Sequence, residues 1–223
     1  MKSTKVLVFD LDDTLFPEHE FVFSGFQAVS DWVQSKYEIY GFFDVAWKLF
    51  KEGKRGKIFD QTLDDLEIKY EPSLIQELVQ VYREHKPAIS LHKDAQWVLD
   101  NLKSEKQLAI ITNGFLKTQQ NKVRALGIES SFDEIVYCDV YGSKNWKPSP
   151  VPYEKMMEFT GFEGDEYMYI GDHPYKDFVA AKKLGWITLR ICRKDGEYAN
   201  VMAEENQDAH FKIKSLYELQ DLC

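Results

Sequence analysis

The chain has 223 residues, of which 44% are hydrophobic and 29% charged, the balance of a globular protein able to bury a core. Its formal net charge of -9 argues against a general nucleic-acid binder and obliges any anionic ligand to find positive charge gathered locally. Cys138, Cys192 and Cys223 are widely spaced and form neither a metal-type pair nor a disulfide framework, so a reducing cytoplasm is the expected compartment.

The first residues lead straight into a strand, without a signal-peptide pattern. That stretch, VLVFDLDDTL over residues 6–15, starts as an apolar run and stops in Asp10, Asp12 and Asp13, followed by Thr14. Alternation along a strand is expected to point Asp10 and Asp12 the same way, and two crowded carboxylates want a counter-ion. From about residue 24 to 86 the apolar residues fall at helical spacing. Phe26, Val29, Val33 and Tyr37 form one stripe, Phe42, Ala46, Leu49 and Phe50 another, and Leu74, Leu78, Val81 and Tyr82 a third. Phe21, Phe23 and Phe26 read as packing within this helical block ahead of the alternative, a platform for substrate. The basic, glycine-broken run 51–57 reads as a solvated loop or as a contact for an anionic substrate.

Pro87 marks the return to alternating strands and helices. A helix carrying Ala95, Val98, Leu99 and Leu102 precedes strand 108–111, which ends in Thr112-Asn113-Gly114. A helix with Leu116, Val123 and Leu126 on one face stops at Gly127. Strand 134–138 leads to a loop reaching Lys147, and Pro150 opens a helix containing Met156 and Phe159. Strand 167–170 ends in Gly171-Asp172, a short helix closes on Gly185, and strand 186–191 follows. The polar segment 193–208 is expected to be irregular, and 211–222 to form a short strand and a terminal helix. No apolar run approaches the ~20 residues of a membrane span, so no membrane partner is expected. The pattern predicts an α/β fold with a parallel sheet.

Ligands of such sheets bind beyond the carboxyl ends of the strands. The chain places Asp10/Asp12/Thr14, Thr112/Asn113, Lys147 and Asp172/Asp177 there. Mg²⁺ prefers carboxylates, waters and substrate phosphate, which Asp10 and Asp172 could share while Lys147 balances phosphate charge. His19, His85, His92, His173 and His210 lack metal-ligand spacing and read as non-ligands, with His173 the one exception kept in view because it adjoins Asp172.

In order, DLDDT, the Thr of ITNG, the Lys of WKPSP, and GDHPYKD resemble the four motifs of the haloacid dehalogenase-like hydrolase superfamily, over residues 5–191. The resemblance implies a Rossmann-like core, residues 1–16 and 87–223, with an inserted helical cap domain, residues 17–86. It implies that Asp10 is a nucleophile forming an aspartyl-phosphate and that Asp12 is the acid/base. Mg²⁺ would be held by Asp10, the backbone carbonyl of Asp12, and Asp172, with Asp177 in support. Thr112, Asn113 and Lys147 would hold the phosphoryl group. Thr14 reads as a turn cap or as backbone support of the site, and Asp177 also as a helix N-terminal carboxylate. Two neighbouring carboxylates push one pKa up, and the acid role assigns the proton to Asp12 and ionisation to Asp10.

The leading expectation is a Mg²⁺-dependent phosphomonoesterase for a small metabolite of nucleoside monophosphate, sugar phosphate or phosphoglycolate type. A sugar phosphomutase uses the same two Asp residues and is the alternative. A dehalogenase, which does not need Asp12, and a non-catalytic binding module on the same fold are weaker readings.

Overall fold

A computed structural model of the chain describes residues 4–204 and 206–222; residues 1–3, preceding the opening strand, and Cys223 lie outside the described residues. The chain divides into two compact units, one of Met1–Glu18 with Ser90–Cys223, the other His19–Ile89. Helices α1 (Glu18–Tyr37), α2 (Phe42–Lys51), α3 (Ile58–Asp65) and α4 (Pro72–Glu84) make the second unit. The first carries α5 (Lys93–Asn101), α6 (Leu116–Leu126), α7 (Val151–Thr160) and α8 (Val179–Lys183).

The first unit also holds six strands: β1 (Val6–Phe9), β2 (Gln107–Thr112), β3 (Glu134–Tyr137), β4 (Tyr167–Gly171), β5 (Ile187–Ile191) and β6 (Phe211–Ile213). They form one sheet in the order β3-β2-β1-β4-β5-β6, parallel at every pairing. Every residue of β1 is fully buried, as a strand covered on both faces requires, which explains its unbroken apolar run. Phe9 pairs with Ile110 on one side and Ile170 on the other. Strand order reverses at β1, so the carboxyl ends of β1, β2 and β4 form the crevice where such sheets bind ligands.

One face of the sheet buries Tyr153, Tyr167, Tyr169 and Trp186, with Tyr167 and Trp186 stacked at 4.2 Å. Met156 of α7 joins this core, whereas Phe159, three residues on, is exposed to 55%. The expected terminal helix is a 3-10 turn, Leu216–Asp221, whose start is capped by Ser215 and Glu218. The backbone N–H of His92 donates to Leu15 O at 2.9 Å, tying together the points where the chain leaves and re-enters this unit.

The second unit has its own core. Phe26, Val29 and Val33 of α1 meet Phe42 and Ala46 of α2, Phe59 and Leu63 of α3, and Leu74 and Leu78 of α4, the positions that helical spacing selects. Gly25 lets α1 approach α4, since a Cβ there would lie 2.5 Å from the Tyr82 ring. Tyr37, expected on the buried stripe, is 42% exposed, and Phe23 is 45% exposed and packs edge-on to Phe43 and Trp47. Run 51–57 is exposed throughout. Its Arg55 lies 4.2 Å over the Phe50 ring and donates to Phe50 O at 3.1 Å, closing the end of α2.

Candidate active site

The chain turns sharply after β1. Asp10 N still donates to Ile170 O, but Asp13 adopts φ 52° and residue 12 bridges to residue 16. The strand therefore ends at Phe9, before the carboxylates, so the alternation of a strand does not fix how Asp10 and Asp12 point. Each has its own partners. Asp13 supplies the turn's cap, accepting from Glu18 N at 2.8 Å and Glu197 N at 3.3 Å. Thr14 does not serve as that cap: its hydroxyl is buried without a hydrogen-bond partner among the described residues, and its carbonyl accepts from Arg193. Arg193 also forms a two-pronged pair with Asp94 at 3.0 and 3.1 Å.

Lys147 is 4% exposed, and its ammonium donates to Asp10 Oδ1 at 2.6 Å, Asp177 Oδ1 at 2.8 Å and the Tyr169 hydroxyl at 2.9 Å. Three acceptors for three N–H bonds complete its hydrogen bonding. The Asn113 amide fixes the loop that presents it: Nδ2 donates to Lys147 O at 3.0 Å, and Oδ1 accepts from Lys147 N at 2.9 Å. That use differs from the phosphoryl contact expected of Asn113, because both ends of the amide are engaged by backbone.

Asp177 is fully buried, and its second oxygen accepts from His173 N at 2.9 Å. It closes the loop after β4 rather than serving as an exposed helix-start charge. Gly171 makes this possible, since a Cβ there would sit 2.5 Å from Asp177 Oδ2. One carboxylate oxygen each from Asp10, Asp172 and Asp177 lies within 4.8 Å of the others.

Burial, with Asp177 and Asp12 adding repulsion, pushes the Asp10 carboxyl up to about 7 despite the pull of Lys147. Burial, then Asp177 and Asp10, holds Asp172 well above the ordinary carboxylate range. Burial opposes the charge on Lys147, but Asp10 and Asp177 outweigh it and raise its pKa well above the usual value. Without a cation the Asp10 carboxyl is thus pushed up, whereas the sequence expectation has it ionised. Three buried carboxylates facing one ammonium fit a hard divalent cation with oxygen ligands.

Asp12 lies apart from that cluster. Its Oδ1 accepts from Lys122 Nζ at 2.6 Å and its Oδ2 from Gln119 Nε2 at 2.8 Å. Gln119 Nε2 also donates to Thr112 Oγ1 at 2.5 Å. Thr112 is fully buried at the end of β2. Gln119 and Lys122 were legible only as polar residues interrupting the buried side of α6, next to Val123. Glu18 also belongs to this region: burial and nearby Asp12 push its carboxyl up to about 8. Beyond β4, His173 lies 4.0 Å from the Tyr198 ring, and burial, then Lys176, lowers its pKa to about 4.

The chain is 30% identical over 229 residues to the glyceraldehyde 3-phosphate phosphatase of Methanocaldococcus jannaschii, covering 98% of this chain and 96% of that protein. It is 27% identical over 188 residues to the pyrophosphatase PpaX of Halalkalibacterium halodurans, covering 80% and 79%. The magnesium-bound HAD-hydrolase YfnB of Bacillus subtilis shares the fold with a TM-score of 0.71 at 20% identity, over 99% of each chain. The sequence model of the haloacid dehalogenase-like hydrolases matches residues 7–191, a span that begins in β1 and ends with β5, so that Asp10, Thr112, Lys147 and Asp172 all fall inside it. By that match and by its relatives, the chain belongs to the haloacid dehalogenase-like hydrolase family.

Proposed function

We propose that the chain is a Mg²⁺-dependent phosphomonoesterase of the cytoplasm acting on a small phosphorylated metabolite, with sugar phosphates the first class to try. The observation that carries this reading is the buried Asp10–Lys147–Asp177 constellation with Asp172 beside it, at the crevice of the sheet. Relatives named as glyceraldehyde 3-phosphate phosphatases support the substrate class. The helical unit His19–Ile89 takes the role of the family's cap domain in this reading.

Asp10 and Asp172, with the main-chain carbonyl of Asp12, would hold the cation, and Asp177 would support it from behind. When bound, Mg²⁺ supplies neutralisation of phosphoryl charge. Asp10 attacks phosphorus, forming an aspartyl-phosphate as the P–O bond to the substrate breaks. The leaving oxygen takes a proton from Asp12. Water then attacks the phosphoryl group, Asp12 accepts its proton, and Asp10 is regenerated as phosphate departs. Lys147 holds the nucleophile and screens it from the phosphate charge, and Thr112 offers its hydroxyl to the phosphoryl oxygens.

Phosphate release from a panel of sugar phosphates, nucleoside monophosphates, phosphoglycolate and pyrophosphate, with and without Mg²⁺, tests the proposal. Release that needs Mg²⁺ and is abolished in Asp10→Asn supports it. Near-full activity of Asp10→Asn removes the nucleophile, and phosphate migration without release assigns a phosphomutase.

A further inference from the structure

Two residues outside the motifs converge on Asp12. Lys122 and Gln119 each reach one of its carboxylate oxygens, at 2.6 and 2.8 Å. They stand one turn apart on α6, so a single rigid helix face delivers both donors. Neither is a surface contact: Gln119 is 1% exposed and Lys122 4%. An exposed Lys–Asp pair contributes little and is freely replaced, whereas a buried ion pair stabilises no better than apolar side chains of the same volume. Burial here therefore points to geometry rather than to stability.

The backbone makes room for this arrangement. Gly114 adopts φ +121°, and a Cβ on it would lie 3.1 Å from the Gln119 carboxamide. The two N–H bonds of Gln119 Nε2 are divided between Asp12 Oδ2 and Thr112 Oγ1. One amide thereby links the group that moves protons to the group that meets the phosphoryl oxygens.

We propose that Gln119 and Lys122 are positioning residues that aim the Asp12 carboxyl at the leaving oxygen and fix its distance from the phosphoryl site through Thr112. The assignment rests on the phosphatase reading above. Removing either donor frees the Asp12 carboxyl to rotate, so the proton transfer loses its alignment while the nucleophile, held separately by Lys147, keeps its own. General acid–base assistance contributes about 10²–10⁴-fold, and misaiming it forfeits roughly 100-fold where the leaving group needs a proton. A 4-nitrophenolate leaves without one; the alkoxide of an alkyl phosphate does not.

The test compares kcat/KM for 4-nitrophenyl phosphate and for glycerol 2-phosphate in wild type, Gln119→Leu, Lys122→Met and Lys122→Arg with saturating Mg²⁺. Because kcat/KM reports the steps through phosphoenzyme formation, it isolates the proton donation. In Gln119→Leu and Lys122→Met the alkyl ester is expected to slow roughly 100-fold and the aryl ester less than about 5-fold, with Lys122→Arg recovering most of the alkyl loss. Thermal melts check folding, and Gln119→Met, which keeps the side chain's length, stands in if Gln119→Leu melts below the assay temperature. Equal losses on both esters, or no loss on either, would overturn the assignment. A wild type inactive on both esters would overturn the phosphatase reading itself and the assignment with it.

Discussion

The metal-free protein should lose stability as pH rises, and Asp10 contributes a definable share of that loss beside Asp172 and Glu18, whose carboxyls are also pushed up. Its carboxyl has an ordinary pKa of 3.8 and is pushed up to about 7 by burial. The folded state therefore binds a proton that the unfolded state has released between about pH 4 and 7, and stability falls across that window as pH rises. At 1.36 kcal/mol per unit, the loss attributable to Asp10 approaches roughly 4 kcal/mol above pH 7. For a chain of this length that is on the order of 10 °C in Tm. Asp10→Asn carries no titrating carboxyl and should flatten the slope. Thermal melts in EDTA at pH 5.5 and pH 8 should show wild type falling further than Asp10→Asn, which keeps only the losses of Asp172 and Glu18, with the variant the more stable at pH 8. Adding Mg²⁺ at pH 8 should raise wild type more than the variant, because a cation takes the place of the proton. A wild type equally stable at both pH values without metal, or an Asp10→Asn no more stable than wild type at pH 8, would refute the reasoning.

Gly171→Ala puts a methyl 2.5 Å from Asp177 Oδ2; displacement of Asp177 should cost about 1–3 kcal/mol and reduce turnover at least ~10-fold, read by melts and phosphate release. Asn113→Ala removes both bonds that pin Lys147's backbone, so about 1–3 kcal/mol of stability should go, with a fall in kcat. Although burial opposes it, Arg193 with Leu216 N and Ser215 holds the Asp94 carboxyl below its usual pKa. Its stabilisation is present above the usual carboxylate range and is lost as pH falls through the lowered value. Asp94→Ala should therefore cost about 3–5 kcal/mol near pH 7 by leaving the Arg193 charge without its carboxylate, and less near pH 3, as urea titrations at the two pH values will show. Gly25→Ala should destabilise the helical unit by about 1–3 kcal/mol through the Tyr82 clash, seen as earlier loss of helical circular dichroism.

The sheet was legible because parallel strands buried on both faces must be apolar runs, as in β1, and because each ends in residues that apolar packing cannot explain. Asp10, Asp172 and Asp177 converge because they follow the neighbouring strands β1 and β4, while Lys147 is brought to them by the loop after β3, two strands from β1. What sequence could not supply was direction. Local alternation put Asp10 and Asp12 on one strand face, but the strand ends at Phe9 and the two carboxylates find different partners, Lys147 for one and Lys122 with Gln119 for the other. Asn113 carried a motif's position yet spends its amide on backbone 34 residues away, a contact no local pattern announces. Gln119 and Lys122 are the converse: they lie in no motif, and only tertiary packing turns two polar interruptions of an apolar helix face into partners of Asp12. In the helical unit, periodicity found the buried positions of α1 but not its end, where Tyr37 is left exposed.

The bond between Leu15 O and His92 N has an architectural consequence. It closes the base of the whole excursion 16–91, so the two points where the chain leaves and re-enters the sheet-bearing unit are held together. The entropic cost of such a loop grows only as the logarithm of its length, about 0.6 kcal/mol per doubling. An excursion of several helices therefore burdens the sheet scarcely more than one of half the size. The segment between the clip points can therefore change in length at little entropic cost to the register of the strands.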